Sequence, residues 1–380
     1  MTSEIRVCTR CVMDETDEAI TFDEHGICNH CRDFSRRTEG IWFPGDEGRR
    51  RLEALTRRIQ AEGKGKNYDC ILGLSGGLDS SYLAIKLFEM GYRPLVVHVD
   101  GGWNTELAVK NIEKIVSHCG WHLHTHVIDW REMRDLQLAY LRSGISNQDV
   151  PQDHAFFGSL YHFAVKNGIR YVMSGGNIAT ESVVPPRWHW SAMDSTNLKA
   201  IHRTYGTIPL KSYPTISFFQ MYVEYPFVRK MRNIRPLNLM PYVKADALVE
   251  LQEKIGYKRY DRKHGESVFT KFFQNHWLPE KYGYDKRKIH FSSMILSGQM
   301  TRDEAVAALA EPLYDPRELE RDKQYVAKKL GISDDEFEQV LAVPKHSYRD
   351  FPNMERQYSL MKAVQRFAAG SLKLRIKNYS

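Results

Sequence analysis

Between residues 68 and 174, short apolar runs alternate with longer stretches in which apolar residues return every third or fourth position. The runs at 68–74, 94–100 and 171–174 and the alternating stretch 122–128 read as strands, and the spacing between them predicts helices over 79–90, 106–119, 130–143 and 153–167. This alternation implies right-handed crossovers and a parallel sheet covered on both faces. The expected fold is therefore a doubly wound α/β sheet whose ligands sit beyond the carboxyl ends of the strands. A fifth strand is expected at 236–242, followed by a helix over 244–255 that Gly256 closes. In the charged stretch 46–66, Leu52, Leu55 and Ile59 recur at helical intervals and predict an exposed amphipathic helix. Residues 181–233 are rich in Trp, Tyr, Pro and Arg and too long and irregular for a simple connection. The tail beyond Gly256 is helical by pattern, with Thr301 and Glu304 spaced as a capping box.

Composition narrows the class only slightly. The 380 residues carry 54 basic and 47 acidic side chains, a net charge of +7 that suits an anionic substrate without requiring a nucleic acid. No apolar run approaches the roughly 18–20 residues that span a bilayer, and no hydrophobic stretch follows the first residues as in a signal peptide. The expectation is a cytoplasmic protein with reduced thiols and no membrane or nucleic-acid partner. Paired cysteines then point to metal before disulfide. Cys8-Thr-Arg-Cys11 and Cys28-Asn-His-Cys31 are two such pairs, sixteen residues apart. Four thiolates on two tight turns complete a closed tetrahedron for structural Zn2+. His30 is then surplus and expected in solvent, while Cys70 and Cys119, in apolar surroundings, are expected in the core.

The segment Leu74-Ser75-Gly76-Gly77-Leu78-Asp79-Ser80-Ser81 joins the first strand to the first helix of the core. Glycines let the backbone approach an anion, Ser75 and Ser80 bring hydroxyls, and the helix start aims unpaired N–H groups at the ligand. Asp79 fits beside a polyphosphate if Mg2+ lies between them. A Walker loop is excluded because no Gly-Lys-Ser/Thr follows at the required spacing.

This string resembles the PP-loop of the ATP pyrophosphatases, the group that includes asparagine, GMP and NAD synthetases and tRNA-thiolating enzymes and cleaves ATP between its alpha and beta phosphates. The resemblance implies a PP-loop sheet as the core and adenylation as the chemistry. The expected organisation is a zinc ribbon over 1–40, a helical linker over 41–66, a PP-loop core over 67–256 with 181–233 inserted over the active site, and a helical region over 257–380 that contributes to the substrate site. The resemblance also implies that His98 and Val99, at the end of the second strand, hold adenine through backbone groups.

A second glycine turn, Ser174-Gly175-Gly176-Asn177-Ile-Ala-Thr-Glu181, lies at another strand end and is similar to a segment of NAD synthetase. Asn177 and Glu181 are one helical turn apart and share a face. The amide can orient substrate or ATP and the carboxylate can bind metal or ammonia; equally, Asn177 can cap a helix. His122, His124 and His126 also share a strand face, which raises a metal site against the simpler reading of a packed or edge strand.

Downstream, Lys263-His-Gly-Glu266-Ser267-Val-Phe-Thr-Lys271-Phe-Phe-Gln, then Lys286-Arg287, combine cations with aromatics. With the cysteine pairs and the Ser-Gly-Gly-Asn turn, this segment resembles the N-acetyl sugar amidotransferase family of bacterial surface-polysaccharide and flagellin-sugar pathways. One departure is Gly265, where a larger, often aromatic residue is expected. The resemblance implies that the acetamido oxygen of a nucleotide-linked sugar is adenylated and then replaced by ammonia, which a separate glutaminase subunit, with or without a cyclase-like partner, supplies. Lys263 and Lys271 are the expected stabilisers of phosphate charge, with Glu266, Ser267, Lys286 and Arg287 at the substrate. The competing readings are a tRNA thiolation enzyme, disfavoured because only Cys70 and Cys119 remain for chemistry, and a non-catalytic zinc-ribbon adaptor, disfavoured by the intact Asp79 and Ser80.

Overall fold

The computed structural model describes residues 5–186, 188, 190–260 and 265–372. Two helices, α1 (Asn29–Thr38) and α2 (Asp46–Glu62), precede the alternating core. The core runs β1 (Cys70–Gly73), α3 (Leu78–Glu89), β2 (Pro94–Asp100), α4 (Glu106–Cys119), β3 (Leu123–Val127), α5 (Trp130–Ser143), α6 (Val150–Lys166) and β4 (Tyr171–Met173). It continues through α7 (Ile178–Glu181), α8 (Ser195–Tyr205), β5 (Arg232–Ile234) and α9 (Lys244–Ile255). The C-terminal region is helical throughout: α10 (Val268–Phe272), α11 (Leu278–Tyr282), α12 (Lys286–Leu296), α13 (Arg302–Ala310), α14 (Pro316–Leu330), α15 (Asp334–Leu341) and α16 (Glu355–Leu372).

All four strand pairings are parallel and the order is β3-β2-β1-β4-β5, the doubly wound α/β arrangement that the alternation implies. Successive residues of a strand face opposite sides, and the core divides accordingly. Ile71 joins Val97, Leu136 and Leu160 on the α5–α6 side, while Leu72 joins Val96, Leu83 and Leu251 on the α3–α9 side. Each such side chain withdrawn from water contributes about 1.5–3 kcal/mol before entropy is counted. The chain reverses its winding between β1 and β4, so the carboxyl ends of these two strands open a crevice at the switch point.

Two expectations are corrected. The fifth strand is β5, upstream of Pro236, and Pro236–Leu239 form a 3-10 turn. Pro236 has no N–H to give a ladder and its fixed φ favours the turn. Residues 181–233 are not simply irregular, since they include α8 and a π-helical segment, Gln220–Val228. Part of this stretch packs on the sheet's α5–α6 side. Leu198, Ile201, Tyr213, Ile216, Met221 and Tyr225 enter the apolar cluster on the α5–α6 side. Buried carboxylates hold this strap: Asp135 accepts from the Thr207 and Ile208 amides, and Glu132 from those of Lys211, Ser212 and Tyr213.

Candidate functional site

The turn after β1 has the form of an anion cradle. Gly76 takes φ +81°, and a Cβ there would sit 2.6 Å from the Ala108 carbonyl oxygen, so both conformation and space demand glycine. Gly77 is the N-cap of α3 and gives no side chain to the first-turn amides. The hydroxyls of Ser75 and Ser80 are 3.0 Å apart, Ser75 Oγ accepts from the Gly77 amide and Ser80 donates to the Gly77 carbonyl. Leu74 is buried and its amide continues the ladder to Val97. Ser81 is fully buried on α3, on the core side of the turn. His98 is buried, its Nδ1 2.9 Å from the Leu74 carbonyl and its Nε2 3.1 Å from Asn104 Nδ2; Val99 is buried beside it.

The second glycine turn closes onto the first. A Cβ on Gly175 would lie 3.0 Å from Asp79 C and 3.0 Å from Ser80 N, so the turn after β4 packs backbone to backbone on the start of α3. Asn177 is buried and caps α7, its Oδ1 accepting from the Thr180 amide at 2.9 Å while its Nδ2 donates to the Gly175 carbonyl. The capping role is thus filled. Tyr242 is buried and donates its hydroxyl to Asp79. Burial first, then the Asp79 carboxylate and more weakly Glu181, push the Tyr242 hydroxyl far above its usual range. Both carboxylates therefore act on the same secluded point, although they come from different turns. A built Cβ at Gly176 would be 3.8 Å from both Glu181 Oε2 and Arg235 Nε, which brings a cation to the same wall.

The C-terminal region supplies the far wall. Glu266 reaches the turn itself, its Oε1 3.2 Å from a Cβ built on Gly77, and its backbone accepts from the Thr105 amide. Ser267 caps α10 and donates to Gln152 Oε1 at 3.2 Å. Beyond it lies a polar group on the α6 start: Asp149 accepts from Thr270 at 2.9 Å, and the half-buried Asp153 is pushed up to about 7 by burial and by Asp149, with Lys286 opposing. Lys286 therefore faces this group. Lys329 of α14 donates to the Gly102 carbonyl and ties the loop after β2 to the helical region.

Two residues expected at the phosphates or the substrate are engaged elsewhere. Lys271 is paired with Glu318 at 2.7 Å and Asp322 at 2.5 Å and holds α10 to α14. Arg287 grips Asp285 and donates to the carbonyls of Ala308, Leu309 and Glu311, locking α12 to α13. Lys263 lies outside the described residues.

The four N-terminal cysteines are buried with all sulfurs within 4.8 Å of one another. The Cys8–Cys31, Cys11–Cys28 and Cys28–Cys31 sulfur separations are 3.8, 3.7 and 3.6 Å. A tetrahedron with Zn–S bonds of about 2.3 Å has sulfur–sulfur edges of about 3.8 Å, so the set fits a zinc ribbon. His30 is not in solvent: it is buried, with Nε2 2.7 Å from the buried Asp17 carboxylate. The ribbon docks on the C-terminal helices. Arg302 donates to the Cys8 and Cys11 carbonyls, the Val12 amide donates to Ser292, and Lys288 pairs with Asp14. On its other side α12 holds α7 through Ser293, which accepts from the Val183 amide, and Ser297, which donates to the Ala179 carbonyl.

Sequence reasoning missed Tyr242, Tyr257 and Tyr260, the last two of which donate to the Gly76 carbonyl at 3.0 Å each. Their only signal was a cluster of tyrosines around a lysine-opened helix, which reads equally well as core.

Residues 266–365 match the family model described as the LPS biosynthesis protein WbpG-like, C-terminal domain. No curated protein matches the chain. Among solved structures, the chain is similar to the NMN synthetase from Francisella tularensis, at 12% identity over 75% of this chain and 96% of that one, with a TM-score of 0.36. It is similar to the NH3-dependent NAD synthetase from Campylobacter jejuni subsp. jejuni NCTC 11168, at 13% identity over 75% and 97%, TM-score 0.30. A third likeness is to the glutamine-dependent NAD+ synthetase from Acinetobacter baumannii, at 14% identity over 78% of this chain and 46% of that one, TM-score 0.32. The matched segment begins at Glu266, the residue laid against the glycine turn after β1, and includes α10 to α15, on which the ribbon and α7 rest. Residues 266–365 of the chain are thus similar to the C-terminal domain of WbpG-like LPS biosynthesis proteins.

Proposed function

We propose that the protein is an ATP-dependent amidotransferase that converts the acetamido group of a nucleotide-linked N-acetyl sugar to an acetamidino group, with AMP and pyrophosphate as products. The family match to LPS biosynthesis and the glycine turn at the switch point support an ATP-dependent ligase. The observation that carries the reading is the seating of the Gly175 turn on Asp79 and Ser80, because it brings the two glycine turns together at one crevice.

In this reading the amides of Gly76 and Gly77 and the hydroxyls of Ser75 and Ser80 hold the triphosphate at the α3 terminus. Asp79 and Glu181 would hold Mg2+, which would offset the phosphate charge. Tyr242 fixes the Asp79 carboxylate by its hydrogen bond. The acetamido oxygen attacks the alpha phosphorus and pyrophosphate leaves. Ammonia then adds to the O-adenylyl imidate carbon and AMP departs, which splits one unfavourable displacement into two feasible ones. Glu266, Ser267 and Lys286 line the side from which the sugar enters, and a separate glutaminase subunit supplies the ammonia.

A tRNA thiolation reading is opposed by the remaining thiols. Cys70 is fully buried in β1, and burial pushes the Cys119 thiol up to about 12, so neither is an available thiolate. The test is incubation with ATP, ammonium chloride and a panel of nucleotide diacetamido sugars. The expected result is AMP, pyrophosphate and a sugar lighter by about one mass unit, the exchange of oxygen for NH. ADP as the nucleotide product would overturn the proposal.

A further inference from the structure

The histidine-bearing face of β3 has no part in the chemistry above, yet it borders a cleft. His126 on β3, Ser159, His162, Phe163 and Lys166 on α6, and Tyr213 of the strap line a recess of about 360 Å³. Such a volume lies at the lower end of small-molecule sites. Strand β3 is two strands from β1, so the recess is roughly 10 Å across the sheet from the phosphate turn.

Its lining has a definite chemistry. His124 and His126 meet the Phe163 ring edge-on, with centroids 4.4 and 5.4 Å away, which fixes the His126 imidazole. Ser159 is only 2% exposed, and its buried hydroxyl has no hydrogen-bond partner. A buried donor left unpaired in a native fold asks for a ligand or ordered water. None of the described residues lining the recess is acidic. Nor do the imidazoles gather as a metal site, since among the described residues the four cysteines form the only such cluster of three or more ligands. A lysine, two imidazoles and an unpaired hydroxyl bring donors to one recess with no carboxylate in its described lining, His162 alone being engaged by the Thr215 backbone, and such a surplus of donors suits an oxyanion.

We propose that this recess is a second ligand site, separate from the phosphate turn, that takes a phosphoryl group, gripped by Lys166, His126, His162 and the Ser159 hydroxyl. Burial first, then His124 and His162, hold His126 below the usual imidazole range. Burial likewise lowers His162, opposed by the Thr215 backbone and Glu224. An anion that pairs with their protonated forms is therefore bound more tightly at pH 6 than at pH 8.

The test uses the full-length, zinc-loaded chain titrated with inorganic phosphate and, separately, with UDP, followed by calorimetry and by the histidine C–H resonances assigned with His126→Gln and His162→Gln. Saturable shifts of both resonances are expected, in the wild type and in Asp79→Ala. Lys166→Met should weaken binding about tenfold, the loss of one hydrogen bond to a charged group, and Ser159→Ala should weaken it less. Tighter binding of UDP than of phosphate assigns a nucleotide diphosphate, and the reverse order a simple phosphate. Unmoved resonances, or binding that Asp79→Ala removes and Lys166→Met does not, would overturn the proposal.

Discussion

Gly175→Ala isolates the contact between the two turns. The added methyl would lie 3.0 Å from Asp79 C, 3.0 Å from Ser80 N and 3.2 Å from Asp79 O, all backbone atoms, where ordinary contact begins at 3.4 Å. Gly175 is not among the positive-φ residues, so conformational strain does not confuse the result. The turns must therefore part by a few tenths of an ångström, against the end of β4 on one side and the first turn of α3 on the other. Overpacking of this kind costs about 1–3 kcal/mol. A misplacement of 1 Å in a reacting pair costs about 10²-fold in rate, so a shift of a few tenths should lower kcat about fourfold. Differential scanning calorimetry reads the first effect, and AMP formation at saturating ATP the second. Gly45→Ala, with nothing within 4 Å of its Cβ, is the control. Gly175→Ala enzyme with unchanged kcat, ATP KM and Tm would refute the idea that the two turns work as one cradle.

Asp79→Ala should abolish ATP cleavage with the circular dichroism spectrum intact, and near-normal AMP production would remove Asp79 from the phosphate site. Lys271→Met should lower stability by about 1–2 kcal/mol, because it leaves Glu318 and Asp322 facing one another in a partly exposed site, with kcat unchanged; a large loss of kcat at full stability would return Lys271 to the phosphates. Cys8→Ser should lower bound zinc, read by atomic absorption, and destabilise α12 and α13 in hydrogen exchange; retained zinc with selective catalytic loss would contradict a structural ribbon. For Glu132 and Asp135, burial alone would raise the carboxyl pKa, but hydrogen bonds from the 207–213 strap outweigh it and hold both below the usual range. A depressed folded pKa gives stability that is present above the unfolded value and lost as pH falls through the folded one. Hydrogen exchange of 207–213 should therefore accelerate below about pH 4, and strap amides unchanged down to pH 2 would speak against these anchors.

The sheet was legible because the signals agreed. Three of its first four strands were apolar runs and the third, 122–128, showed period-two alternation, and each crossover carried a helical period with a glycine or cap at its end. The glycine turn after β1 and the cysteine set were legible for a related reason: the residues that make them are adjacent in sequence, so spacing alone conveys geometry. The fifth strand was misplaced because three residues of β5, Arg232, Asn233 and Ile234, are only partly buried or exposed and carry no apolar signature, whereas the neighbouring Pro-Leu-Asn-Leu does. His30 was misread because its partner, Asp17, lies thirteen residues away and makes a histidine compatible with burial. Lys271 and Arg287 look like ligands of the phosphates and of the substrate in one dimension. Only the fold shows Glu318 and Asp322 opposite one and a row of helix-end carbonyls opposite the other.

The docking of the cysteine knuckles on α12 has a consequence for how the chain is made. Val12 and the Ser292 that it contacts are 280 residues apart. At translation rates of 5–20 residues per second, the knuckles leave the ribosome roughly 15–55 s before their cover exists. Throughout that interval the four thiols are open to oxidants. Early capture of an ion by the nascent knuckles would shield them, so cells short of zinc should accumulate oxidised full-length chains that later supplementation does not rescue.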